Sequence, residues 1–342
     1  MSQETSAPPA PGVFTHPRRW IAAAAAAWIA SAVVLVLLGG DPLPLGDGHH
    51  APWSTAERLT ATTVVAVDLA LLSVVVVLLT RRHPGRLMAG RGDMAGRARA
   101  RGDLLLLAGY AVVAQIVGAV LGEQIGGTAI SSHLAGSIHS SDATPTVGSV
   151  LAWVTFNVTA YVVVPLWWFA RRGSLDRRWF HSHDRRTDVR VVLIVLVWES
   201  AFQMLVFGAA FFALTGRQMA VGSVIALIVS FLGTVLPTLV MVTALVVPLV
   251  LRASGSAATA VVCGGLAYAA LHAFDGWTDY RSVTAAVLSV ALLVLQYLLP
   301  GMFKALLTVR TGNVWVHAWA YHAVAPHVWA DTPLMVRVFG VR

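Results

Sequence analysis

Apolar residues run through the chain in long, nearly unbroken blocks, separated by short polar, glycine- and proline-rich or arginine-rich stretches. Blocks at 20–38, 61–80, 104–121, 150–170, 191–214, 257–274 and 283–299 each approach the roughly 20 residues a helix needs to cross a hydrocarbon core about 30 Å thick. The block at 219–251 is longer and is interrupted by Pro237 and Pro248. At 1.5 Å per residue it reaches about 45–50 Å, so it reads as one kinked helix or as a span with a re-entrant piece. A last block, 309–331, is apolar enough to span yet carries His317, His322 and His327 and ends on Asp331. The pattern predicts an all-α fold, a polytopic transmembrane helix bundle of about eight to nine spans.

Composition agrees with the pattern. Of 342 residues 57% are hydrophobic and 12% charged, against about 25% charged in soluble domains, and the mean hydropathy is +0.73. The net charge of +8 does not point to nucleic acid, because the basic residues lie in short clusters between apolar runs. The stretch 81–101 holds seven arginines, whereas 122–149 has no Lys or Arg. That asymmetry predicts an integral protein of the cell membrane with a cytoplasmic N-terminus. An odd span count then puts the C-terminus outside, a placement that Arg337 and Arg342 oppose. Residues 1–17 read as a disordered tail, and 20–38 is too long for the apolar part of a cleaved signal peptide, so it reads as a retained span. The one cysteine, Cys263, excludes an internal disulfide.

Ionisable groups inside these blocks are few: Asp68, Glu199, His272, His317 and His322, with Asp275 and His327 at block ends. Such groups are costly at membrane depth and face a bundle interior or a wet cavity. Tyr268 and Asp275, four before and three after His272, share its helical face and are placed to fix its orientation and tautomer. On an α-helix His322 lies about 140° around from His317, and Pro326 disturbs the chain before His327. The three histidines therefore form no single stripe, and no cofactor is required. A divalent metal held by His317, His322, His327 and Asp331 is the alternative, since imidazole and carboxylate suit first-row metals. His181 and His183 read as part of a solvated basic loop, and the one lysine, Lys304, sits near the exit of the eighth block with no role assigned. HExxH, GxSxG, Walker A and dinucleotide motifs are all absent.

The segment TVRTGNVWVHAWAYHA, 308–323, resembles the last motif of the CPBP family of intramembrane proteases, the CAAX-processing and bacteriocin-processing (ABI) endopeptidases. Thr311, Gly312 and Trp315 match its lead-in, and His322 matches its histidine to within one residue. Tyr268 and His272 match the family's FxxxH motif, 50 positions earlier, and 252–272 reads like the family's helix before that histidine. The resemblance covers about 190–330 and divides the chain into N-terminal membrane helices, 18–180, and a CPBP-like core.

The resemblance implies general-base hydrolysis of a peptide bond in a membrane-associated or prenylated substrate. Glu199 and His272 would activate water, while His322, with His317, would stabilise the oxyanion. The chain departs from the family's EExxxR motif: Trp198 stands for the first glutamate, Gln203 for the arginine, and Glu199 lies 73 positions before His272. Pro326 replaces the asparagine that follows the last histidine. Two other readings stay open, a non-proteolytic scaffold or partner-binding membrane protein and a histidine-dependent metal enzyme. A transporter is disfavoured by the lack of paired broken helices in corresponding halves.

Overall fold

The structure is a computed structural model that describes residues 17–41, 43, 45, 54–87, 94–126 and 145–342. All but the last residue of the tail expected at 1–17, and most of the glycine-, serine- and histidine-rich loop, lie outside these residues. Every regular element described is helical, and seven helices are long and apolar enough to cross a membrane. These are α1 (Pro17–Leu38), α2 (Thr55–Leu79), α3 (Met94–Gly126), α4 (Val147–Arg171), α5 (Arg185–Phe212), α6 (Gly216–Ser254) and α8 (Val283–Thr311). The others are shorter: α7 (Ala257–Ala270), α9 (314–322) and α10 (Ala325–Val338).

Helix α8 forms the axis of the site, packed by α7, α1 and α2, while α10 packs on α5 and α6. Where α7 crosses α8 the backbones nearly touch. A Cβ on Gly301 would stand 2.5 Å from the Tyr268 Cβ, and one on Gly265 would stand 2.7 Å from the Leu298 carbonyl oxygen. Small residues permit this approach, which membrane helices use in place of a hydrophobic driving force. The outer faces of α1, α2 and α5 carry exposed Ile29, Leu71 and Val197, as expected of surfaces that meet lipid.

Several expected boundaries move. Pro300 does not end α8, which continues to Thr311 and stops at Gly312, whose φ of 67° suits a left-handed helix cap. Lys304 is thereby moved from a helix exit into a buried helix interior. The long block is one continuous helix, α6, relieved by π-helical turns at Phe231–Val235 and Leu239–Val246 around its prolines. Inside the first of these turns the Gly233 carbonyl accepts a hydrogen bond from the Asn157 amide at 2.8 Å. The expected seventh span is only the 14-residue α7, and His272 sits in the turn beyond it. The last block is no single span but the broken pair α9 and α10.

A buried polar clasp holds the start of α9. Asp188 accepts hydrogen bonds from His83 Nε2 at 2.9 Å, Asn313 Nδ2 at 2.9 Å and the Ser182 hydroxyl at 2.6 Å. His83 Nδ1 accepts from the Gly85 N–H, which assigns the imidazole proton to Nε2. Gly85 also lies against the end of α8, where an added Cβ would stand 1.8 Å from the Thr311 carbonyl oxygen. Backbone cannot yield as a flexible side chain does. Gly85→Ala is expected to cost about 1–3 kcal/mol or more by overpacking, read as a lower thermal midpoint in detergent. An unchanged midpoint would show that this contact opens freely.

Candidate functional site

The interior gathers most of the ionisable groups singled out from the sequence, in two halves. The histidine half begins at the turn after α7. His272 Nδ1 meets Asp275 Oδ2 at 3.0 Å, and the Tyr297 hydroxyl donates to the same oxygen at 2.9 Å. The Tyr297 ring stacks on the imidazole at 3.6 Å and 6°. Gln115 of α3 donates to the Leu271 carbonyl at 2.7 Å, and the Asp275 N–H closes the turn on the His272 carbonyl at 3.0 Å. His272 is therefore held by its carboxylate, its ring and its backbone together. The carboxylate fixes the proton on Nδ1 and puts the imidazole lone pair on Nε2. The expected pairing of His272 with Asp275 is present, through a turn rather than a shared helical face. Downstream, Asp279 is held at about 2 by hydrogen bonds from the Arg281 side chain and N–H, which brace the loop leading to α8.

The helical geometry assumed for the last block gives way here. Ala318–His322 is a π-helical turn, closed by the Ala323 N–H on the Ala318 carbonyl at 2.7 Å. Its i→i+5 bonding brings residues five apart towards one face. His317 and His322, separated around an α-helix, have ring centroids 6.0 Å apart, and the break before α10 brings His327 to 5.3 Å from His322. The three histidines do cluster, contrary to the α-helical expectation. His317 Nδ1 donates to the Val314 carbonyl at 2.7 Å. His327 Nδ1 meets Asp331 Oδ2 at 2.8 Å, and the Ser230 hydroxyl donates to that same oxygen at 2.8 Å. Tyr268 joins the two groups, with its ring 4.8 Å from His272 and 6.1 Å from His322.

The acid half comes from α2 and α5. Trp198 Nε1 donates to Asp68 Oδ1 at 2.6 Å. The carboxyl groups of Asp68 and Glu199 adjoin, with Gln203 beside Glu199. Among the described residues no hydrogen bond or ion pair is found between Glu199 and His272 or His322. Between the halves stands Lys304, which sequence reasoning passed over. Its Nζ lies 3.5 Å from the Tyr268 ring centroid and 5.4 Å from that of Tyr321. Its amino group lies within electrostatic range of Glu199, His272 and His317. A lone lysine within an apolar helix was the available signal; Tyr297 and Ser230 carried none. His181 and His183 are exposed in the loop before α5, as expected of a solvated pair.

Among the described residues no three His, Cys, Asp or Glu side chains are grouped to hold a metal ion. Comparison of the chain with protein-family profiles, with curated proteins and with solved structures found no match.

Proposed function

We propose that this integral membrane protein is a hydrolase of the intramembrane-protease type, cleaving a peptide bond in a membrane-associated or prenylated substrate. The observation that carries the reading is the Asp275–His272 pair, a buried imidazole held in one tautomer by a carboxylate. That is how a histidine general base is prepared. His272 Nε2 takes a proton from water, and the oxygen attacks the substrate carbonyl carbon. His322, across Tyr268, donates a hydrogen bond to the developing oxyanion. The leaving amine takes the proton back from His272.

One departure from EExxxR has a spatial counterpart. Asp68 of α2 stands beside Glu199 as the second carboxylate that Trp198 displaces in the sequence, and Trp198 itself binds Asp68. In this reading Glu199 works through Lys304 instead of touching the water. Purified protein in detergent is expected to cleave fluorogenic prenylated or leader-bearing peptides. Failure on both classes, with the protein folded, would overturn the proposal.

A metal-dependent hydrolase is the second reading. Its support is that His317 and His327 each commit Nδ1 to a carbonyl or carboxylate, as metal-ligating histidines do. The first reading expects activity to survive a chelator. Loss on chelation, restored by a stoichiometric divalent ion, would transfer the site to the second.

A further inference from the structure

Away from the buried cluster, a groove of about 270 Å³ opens between α5 and α9. Arg185, Asp188, Val189 and Leu193 line it from α5, with Asn313, Trp315 and Trp319 opposite, and the Asp188 carboxylate is already engaged by His83, Ser182 and Asn313. Its chemistry changes along its length. Arg185 is exposed at the first turn of α5, and among the described residues it has no ion-pair partner. Val189 and Leu193 follow at successive turns, about 12 Å from Arg185 to Leu193 at 1.5 Å per residue. Leu193 is 55% exposed on a helix long and apolar enough to span, so that end of the groove meets hydrocarbon. Trp315 and Trp319 face it one turn apart, the residue type that prefers the boundary between headgroups and hydrocarbon.

We infer that this groove binds a bilayer phospholipid with an anionic headgroup, its phosphate at Arg185 and one acyl chain against Val189, Leu193 and Trp319. A guanidinium recognises phosphate by charge-assisted, bidentate hydrogen bonding, and the apolar wall continues in the direction an acyl chain takes into the membrane. Arg186 and Arg190 on the same helix add positive charge and, among the described residues, are likewise without an ion-pair partner. A soluble peptide matches the arginine but not the lipid-facing wall. The other face of α9 carries His317 and Tyr321, so a chain in the groove would brace the helix that holds the histidines. The inference does not depend on hydrolysis.

The test uses the full chain in phosphatidylcholine nanodiscs that contain phosphatidylglycerol with a photoactivatable acyl chain, followed by mapping of the labelled residues. Label is expected around Leu193 and Trp319. Arg185→Ala should lower it about tenfold, the loss of one charge-assisted contact, while Arg185→Lys, which keeps the charge but not the bidentate geometry, should fall between Arg185→Ala and the unaltered chain. Leu193→Trp, which fills the groove from an exposed position, should block label without lowering the thermal midpoint. Equal labelling by photoactivatable phosphatidylcholine, indifference to Arg185→Ala, or label scattered over the outer faces of α1 and α2 would each overturn the inference.

Discussion

His272→Ala and His272→Gln are each expected to lower kcat for peptide hydrolysis by about 10²–10⁴-fold, the range a positioned general base contributes. Asp275→Asn is the sharper variant. It keeps the size of the side chain and an oxygen able to accept from Tyr297, but removes the charge that stabilises the imidazolium formed as water is deprotonated. Its effect should fall on kcat with KM little changed, because the lost interaction strengthens only towards the transition state. His322→Ala should also lower kcat, by the roughly 10²–10³-fold that one oxyanion donor supplies. Steady-state kinetics in detergent, with the thermal midpoint measured alongside, separate these effects from unfolding. An active His272→Gln protein would remove the base from the proposed mechanism.

Parts of this site are legible in the sequence and parts are not, for reasons that differ by residue. His272 and Asp275 are found by spacing, because a turn and a helix both bring residues three apart together. The membrane bundle is found by block length, since hydrocarbon thickness allows few alternatives. The convergence of His317, His322 and His327 is hidden, because an α-helical count separates residues that a π-helical turn and a helix break reunite. Pro300 misleads in the opposite sense. A proline usually marks a helix end, yet α8 runs past it where Gly301 meets Tyr268 and α7 packs close. The second carboxylate beside Glu199 is hidden by distance along the chain. Asp68 lies 131 positions earlier (199 − 68), and only packing of α2 near α5 unites them.

Lys304→Met is expected to destabilise the fold more than the double variant Glu199→Gln/Lys304→Met. Lys304 is a basic group within electrostatic range of Glu199, and it is buried against the rings of Tyr268 and Tyr321. Removing it leaves the two adjoining acids without a nearby basic group. Taking the polar partner from a buried polar group costs about 1–3 kcal/mol, because the remaining group has neither water nor a partner. Removing both can approach neutrality, since methionine fills the lysine's volume and glutamine keeps hydrogen-bonding capacity. The double-mutant cycle should therefore show coupling of about 1–3 kcal/mol, measured by chemical or thermal unfolding in one detergent. The same variants define what Glu199 does. If it acts through Lys304, Glu199→Gln should lower activity much less than His272→Gln, and it should add little once Lys304 is methionine. If Glu199 is the base that the family motif implies, Glu199→Gln alone should match His272→Gln in its loss of kcat, whatever residue stands at 304. The two outcomes cannot both occur, so the cycle decides whether the acid half of the site does chemistry or only positions Lys304 beside the histidine half.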